Sequence, residues 1–283
     1  MDDDSNEPTV DVDVDRRDGS ATAAGTGAPS GHPALTISAD AVREAVLALE
    51  GSVIADFKIP LPGDLKDISK AAALVSGIVE DRIPEMLNRV RSTTWDEDGA
   101  FSAYEFRRFT IGFPDILLVE RANPDNVLFE LEAKSWYILS RDALTARFLT
   151  SRNVINNGTL VVIVGWALDS VVSGSPVLLR IHVADAMELA VSRDDQWEDI
   201  DSDHRVTEPG NAPGTPRNLI RTQVDGEIRG KDGKWRKNSD NFGKLDRIPN
   251  DAVRAFRNTA LELAVAGKKL SEWRRFIAPP PPT

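Results

Sequence analysis

The chain has 283 residues, 41% hydrophobic and 28% charged, a balance typical of a folded protein with one large domain or two small ones. It contains no cysteine, which excludes disulfides, thiolate zinc sites, iron–sulfur clusters and thiol nucleophiles. The net charge of −11 is unevenly spread, because residues 209–283 hold 15 basic and 8 acidic side chains while residues 1–20 hold 2 and 8. Nucleic acid binding is therefore not excluded, since phosphates respond to the local field within roughly 10 Å.

The sequence predicts neither a signal peptide nor a membrane-spanning helix. It starts with Met-Asp-Asp-Asp, whereas a signal peptide starts with basic residues. Its longest strongly apolar run, residues 160–168, is too short to cross a bilayer as a helix. We therefore expect a cytoplasmic protein with no membrane partner.

Composition divides the chain into five stretches. Residues 1–33 are acidic and almost free of large apolar side chains, so we expect a disordered tail. Residues 34–205 have the alternating patterns of a folded core with helices at its N-terminal end. Residues 206–216, with three prolines and two glycines, predict a linker or long loop before a basic region over 217–278. Residues 279–283 form a proline tail.

Helical periodicity opens the core. Ser38 is a plausible N-cap for a helix that ends at Gly51. The same spacing returns over residues 64–82, and Pro84 is expected to interrupt it before a short helical piece that reaches Val90.

The pattern then changes to that of strands. Strands are predicted at residues 104–110, 114–120, 127–134, 160–166 and 177–183. Residues 136–151 return to helical spacing, and Asn250 is expected to cap a last helix that ends at Gly267. This order predicts an α/β fold with a mixed five-stranded sheet flanked by helices.

Charged residues alternate along one predicted strand. Glu130, Glu132 and Lys134 are spaced so that their side chains point to the same face, where burial is costly unless the charges are paired or bind a metal. Asp115 begins the preceding strand, and in a regular hairpin it lies directly opposite Glu132. Two facing carboxylates repel each other unless a cation lies between them. Mg²⁺ suits such a pair, and a neighbouring lysine stabilises developing negative charge.

The string Pro114-Asp115, followed after sixteen residues by Glu132-Ala133-Lys134, resembles the PD-(D/E)xK nuclease superfamily. The order of helix, three strands, helix and strand over roughly residues 64–168 is similar to the αβββαβ restriction-endonuclease-like core of that family. The resemblance implies DNA hydrolysis that depends on Mg²⁺, with Mn²⁺ as a substitute.

The same resemblance implies roles for individual residues. Asp115 and Glu132 match the metal ligands of the family, and Lys134 matches its catalytic lysine. Many members add an acidic residue from the helix before the sheet, and Glu80 is our candidate for it. The sequence leaves open whether Glu80 or Glu130 joins the metal site. It also leaves open a surface strand whose charges are solvated or paired across the sheet, which is ordinary in antiparallel sheets.

A second Pro-Asp, Pro124-Asp125, lies within the segment Asn123–Asn126. Its aspartate precedes Glu132 by only seven residues. The composition of that segment is typical of a turn, so we assign it a structural role.

Basic residues outside this cluster are candidates for DNA contact. Arg141, Arg147 and Arg152 follow the predicted site, although a solvated helix face explains them as well. The segment 229–237 combines five basic groups with an aromatic ring, and its alternative interpretation is an exposed hairpin. Its candidate DNA-binding residues, with the asparagine that follows, are Lys231, Lys234, Trp235, Arg236, Lys237 and Asn238.

The sequence thus favours a magnesium-dependent DNA endonuclease of the type II restriction kind. Such an enzyme is expected to cut double-stranded DNA as a homodimer, with a cognate methyltransferase acting on the same DNA. Two alternatives remain open: a repair or phage-defence nuclease without sequence specificity, and a non-catalytic nucleic-acid-binding module.

Overall fold

The computed structural model describes residues 35–54, 58–60, 66–110, 112–140, 144, 146–199, 205–207, 225–229, 235–237 and 243–277. The predicted acidic tail, the proline tail and most of the predicted linker therefore lie outside the described residues. So do four candidate DNA-binding residues, namely Arg141, Lys231, Lys234 and Asn238.

A mixed five-stranded sheet forms the centre of the fold, as predicted. Its strands are β1 (Tyr104–Arg108), β2 (Ile116–Glu120), β3 (Val127–Tyr137), β4 (Leu160–Leu168) and β5 (Pro176–Asp185), and they lie in that order across the sheet. The β3–β4 pair is parallel and the three other pairs are antiparallel. All nine residues of β4 are buried, which explains its unbroken apolar sequence.

Helices α1 (Ala39–Leu47) and α2 (Lys66–Arg89) precede the sheet. The Ser38 hydroxyl accepts a hydrogen bond from the Ala41 amide, so the predicted N-cap of α1 is confirmed. The expected interruption at Pro84 is wrong, because α2 continues through it. A proline inside a helix costs about 3 kcal/mol or more. Burial of Val79, Ile83 and Leu87, at about 1.5–3 kcal/mol each, outweighs that cost.

The predicted helix over residues 136–151 is also wrong in the part of this segment that the structure describes. Strand β3 continues to Tyr137, and residues 146–151 are not helical. The Phe148 amide instead donates a 2.7 Å hydrogen bond to the Gly243 carbonyl, and Arg147 forms a β-bridge with Lys244. A segment about a hundred residues later therefore satisfies this backbone. Within the described residues, the helix expected between the third and fourth strands of an αβββαβ core is not seen.

The C-terminal half adds elements that periodicity only partly revealed. Helix α3 (Ala186–Asp199) was not predicted, and β6 (Arg205–Thr207), β7 (Asp225–Arg229) and β8 (Trp235–Lys237) form a small antiparallel sheet. Helix α4 (Asp251–Glu262) begins after Asn250, whose side chain accepts from the Val253 amide as expected. It ends before Gly267, which turns β9 (Ala264–Val265) into β10 (Lys268–Lys269) at a φ of 77°, and α5 (Leu270–Ile277) follows.

Helices cover both faces of the sheet near the C-terminal end of β3. The Ser135 hydroxyl donates to the Ser76 carbonyl of α2, whereas the ring of the next residue, Trp136, packs 6.0 Å from Phe256 of α4. Consecutive residues of a strand point to opposite faces, so α2 and α4 lie on opposite sides. Among the described residues, no helix is both long and apolar enough to cross a membrane.

Candidate active site

The candidate site lies at a notch in the sheet, where β2 ends and β3 continues. Ile116, the first residue of β2, pairs with Leu131, so residues 132–137 of β3 extend beyond it while still pairing with β4. The amides on that open side of β3 need acceptors, because an unpaired buried amide costs free energy. The Ala133 amide donates to Asp115 Oδ2 at 3.1 Å, and the Ser135 amide donates to Glu80 Oε1 at 3.0 Å. Carboxylates therefore take the place of the missing strand.

Asp115, Glu132 and Lys134 converge at this notch. Continuing the Ile116–Leu131 register by one residue places Asp115 opposite Glu132, which is the pairing that the hairpin arithmetic predicted. The Asp115 amide donates to Glu132 Oε2 at 3.1 Å. Lys134 Nζ lies 3.3 Å from Asp115 Oδ2 and also forms an ion pair with Glu132 Oε1. Both carboxylates thus contact one cationic atom.

Glu80, Asp81 and Arg108 complete the cluster, and of these only Glu80 was a sequence candidate. Arg108, the last residue of β1, contacts Asp115 Oδ1 at 3.3 Å, Asp81 Oδ1 at 3.0 Å and Glu80 Oε2 at 3.9 Å. The motif consists of acidic residues and one lysine at the start of β2 and on β3, so it could not predict that Arg108 of β1 joins the site. The β1–β2 pairing of Arg108 with Ile116 brings it beside Asp115.

Burial dominates the electrostatics of the cluster. It raises the pKa of Glu132 to about 7, with the Lys134 charge lowering that pKa and the Asp115 charge raising it. Burial likewise raises the pKa of Glu80, and Lys134 offsets part of that effect. Burial alone would lower the pKa of Lys134, but the charges of Glu132, Asp115 and Glu80 outweigh it and raise that pKa. Lys134 is therefore a cation at neutral pH.

The cluster fits a divalent cation by its charge and by its donor atoms. The four acidic residues in contact with Arg108 or Lys134 face two basic groups, which leaves two negative charges when all are ionised; the acids are Glu80, Asp81, Asp115 and Glu132. Mg²⁺ is commonly held by one or two carboxylates plus water and phosphate oxygens, and Asp115 and Glu132 supply such a pair. In the described part of the chain, no group of three or more acidic or histidine side chains is itself arranged around one ion position.

Glu130 does not join the cluster. Its Oε2 accepts a 2.9 Å hydrogen bond from the Thr159 hydroxyl, and its Oε1 accepts one of 2.5 Å from the Asn156 amide group. It borders a pocket of about 210 Å³ formed by residues 127–130 and 156–159. Of the two acids that the sequence left open, Glu80 therefore contacts the cluster and Glu130 forms its hydrogen bonds elsewhere.

The second Pro-Asp is separate from the cluster, as expected. Pro124 and Asp125 are exposed in the turn between β2 and β3, where the Asn126 amide donates to the Asn123 carbonyl at 2.9 Å.

The described DNA-binding candidates are scattered over three elements. Arg147 forms its β-bridge with Lys244, and Arg152 begins a short 3-10 turn before β4. Trp235, Arg236 and Lys237 form β8, which pairs antiparallel with β7.

The chain was compared with models of protein families and with curated proteins. No model of a protein family matches the chain, and no curated protein is similar to it in sequence. The function must therefore be inferred from the geometry of the site and from the motif.

Proposed function

We propose that the chain is a DNA endonuclease that hydrolyses phosphodiester bonds with Mg²⁺ held by Asp115 and Glu132. The observation that supports this most strongly is the convergence of both carboxylates and Lys134 at the notch beside β2. A structural ion pair needs only one carboxylate for each lysine. Here two carboxylates share one ammonium and two further acids lie within reach of Arg108, which is an excess of negative charge that favours a cation.

The residues of the chain divide the chemistry between them. When bound, Mg²⁺ would polarise a phosphate oxygen and lower the pKa of a coordinated water. Asp115 is held in orientation by the Ala133 amide, so its carboxylate is placed before substrate arrives. Lys134, protonated and only 19% exposed in its side chain, stabilises the negative charge that develops on the phosphate, and its N–H groups orient the attacking water.

The substrate class follows from the motif and from the basic region. We propose double-stranded DNA cut at a specific sequence by a homodimer, as in type II restriction enzymes, with a cognate methyltransferase that protects the host. The described C-terminal segment 243–277 holds eight basic and four acidic side chains, which favours a polyanion although the whole chain is acidic.

The direct test is incubation of the full chain with plasmid and phage DNA in Mg²⁺, followed by gel electrophoresis. Discrete bands that disappear in excess EDTA are expected, because specific cleavage yields fixed fragments. Ca²⁺ should support binding with little turnover, since its larger and looser coordination shell positions water poorly. A smear would replace the restriction assignment by a nuclease without sequence specificity. Intact DNA with Mg²⁺ and with Mn²⁺, on every substrate, would contradict the proposal.

Salt dependence tests the basic segment 229–237. Replacing its four charged candidates by alanine should flatten the log–log salt slope of DNA binding by up to about 0.9 for each lost phosphate contact. The four substitutions are Lys231→Ala, Lys234→Ala, Arg236→Ala and Lys237→Ala. Binding isotherms across a salt series provide the measurement, with thermal melts to verify folding.

A matched control variant removes four positive charges at positions outside residues 229–237. Four exposed arginines on α2, β1 and the turn after β2 serve for it: Arg82, Arg89, Arg107 and Arg121. Their alanine variant should leave the slope close to that of the native chain. Equal slopes for all three proteins would place the DNA surface outside residues 229–237.

A further inference from the structure

Arg108 is the best-connected charged residue of the candidate site, and the proposed mechanism does not use it. Its guanidinium contacts three carboxylates, those of Glu80, Asp81 and Asp115, at 3.0–3.9 Å. It also donates a 3.2 Å hydrogen bond to the backbone carbonyl of Asp115. Its side chain is 26% exposed, so most of it is withdrawn from water.

These contacts connect three separate segments of the chain. Glu80 and Asp81 belong to α2, Asp115 lies at the start of β2, and Arg108 itself ends β1. The planar guanidinium presents its N–H donors in a fixed fork, so several acceptors hold it in one orientation. The bond to a backbone carbonyl matters most here, because that group stays in place whatever binds to the carboxylates.

Lys134 has the opposite character. Its ammonium is a point charge at the end of a flexible stem, and its two partners are Asp115 and Glu132, the proposed metal ligands. A cation bound between those carboxylates would compete with Lys134 for both of these partners. It would leave Arg108 its contacts to α2 and to the Asp115 carbonyl.

We propose that Arg108 is a fixed cation, a positioning residue that occupies a place where this acidic cluster would otherwise bind a divalent ion. This inference rests on the proposed function for the ion at Asp115 and Glu132, and it adds that the native site binds one ion fewer than the same site without Arg108. With Arg108 in place and all groups ionised, the four acids and two bases leave two negative charges, which one divalent ion balances. Without it, three negative charges and three oxygens that had faced the guanidinium become available.

The test counts Mn²⁺ ions bound by the full-length chain, by electron paramagnetic resonance or calorimetry in the absence of DNA. The native protein is expected to bind one ion at the site, and the Arg108→Gln variant two. Arg108→Lys retains the positive charge and should bind the native number. Arg107→Gln is the matched control, because Arg107 is the neighbouring arginine of β1 but is exposed and pairs only with Glu105, at 2.5 Å, among the contacts described. It should also bind the native number.

Loss of Arg108 brings uncompensated carboxylates together, so the glutamine variant is expected to be unstable without metal. Thermal melts across a Mn²⁺ series address this, because a ligand that binds the folded state raises its stability with concentration. Mn²⁺ should raise the melting temperature of Arg108→Gln more than that of the native chain. A variant that remains unfolded at every Mn²⁺ concentration, or that binds the native number of ions, overturns the proposal.

The ion counts test the role of Arg108 separately from the proposed nuclease activity, because they are measured without DNA. If the native chain leaves DNA intact while Arg108→Gln still gains one ion, the nuclease assignment fails and the role of Arg108 holds. If DNA is cleaved and the ion counts are equal, the nuclease assignment holds and the fixed-cation role is wrong.

Discussion

The Asp115→Asn substitution is expected to reduce DNA cleavage by roughly 10²–10⁴-fold, because metal-assisted stabilisation of the transition state is worth several kcal/mol and each 1.4 kcal/mol is tenfold in rate. Asparagine is nearly isosteric and its carbonyl still accepts from the Ala133 amide, so the notch keeps its shape. The substitution removes the charge that would hold the cation, together with the ion pairs of Asp115 to Lys134 and Arg108. DNA binding should persist or become tighter without metal, since one negative charge facing the phosphates is removed. Cleavage rates and binding isotherms measure the two effects separately.

The chain contains its own control for this prediction. Asp125 is also preceded by a proline, but it is exposed in the turn between β2 and β3. Asp125→Asn should retain native cleavage and native stability. Cleavage by the Asp115→Asn protein at the native rate would show that the nuclease activity, if present, uses a different site.

Glu132→Gln is expected to stabilise the metal-free protein at alkaline pH. The folded state raises the pKa of Glu132 from 4.5 to about 7, because burial penalises its charged form. Between these two values the folded state binds more protons than the unfolded state, so stability falls as pH rises through that window. Above it the full penalty applies, and 2.5 pKa units correspond to about 3 kcal/mol. Glutamine carries no charge and escapes this penalty.

Chemical denaturation in EDTA from pH 4 to pH 8.5 tests whether Glu132→Gln stabilises or destabilises the chain as the pH rises. Relative to native, Glu132→Gln should gain up to about 3 kcal/mol in the free energy of unfolding at pH 8, and the gain should vanish near pH 4. Glu97→Gln, at an exposed carboxyl, is the control. Because it retains Glu132, its free energy of unfolding should follow that of the native chain at every pH. Mg²⁺ should stabilise the native chain and not Glu132→Gln. A variant less stable than native at pH 8 in EDTA would mean that the Lys134 ion pair outweighs the burial of Glu132.

Local patterns predicted much of this protein because they report local physics. The unbroken apolar run of β4 predicted a buried strand. Ser38 and Asn250 predicted helix starts, because a capping side chain accepts hydrogen bonds from amides within the same turn. The Asp115–Glu132 pairing was predicted by counting from the turn, since an antiparallel register follows from positions along one hairpin. The actual hairpin reaches this register through an irregularity between Leu118 and Val119. The pairing nearest the turn, Val119 with Val127, would by itself place Asp115 opposite Leu131, and the one-residue shift brings Asp115 opposite Glu132 instead.

What the sequence by itself determined is the set of acids and the lysine on one hairpin, together with the mixed sheet around them. Tertiary structure alone decided three further points. Residues 146–151 are not helical, because Gly243 and Leu245 exchange backbone hydrogen bonds with Phe148 and Ala146. Helix α2 passes through Pro84, because burial against the sheet outweighs a missing hydrogen bond. Arg108 enters the acidic cluster because strand pairing and α2 bring together groups up to 28 residues apart, and no spacing rule along the chain encodes a contact made through packing.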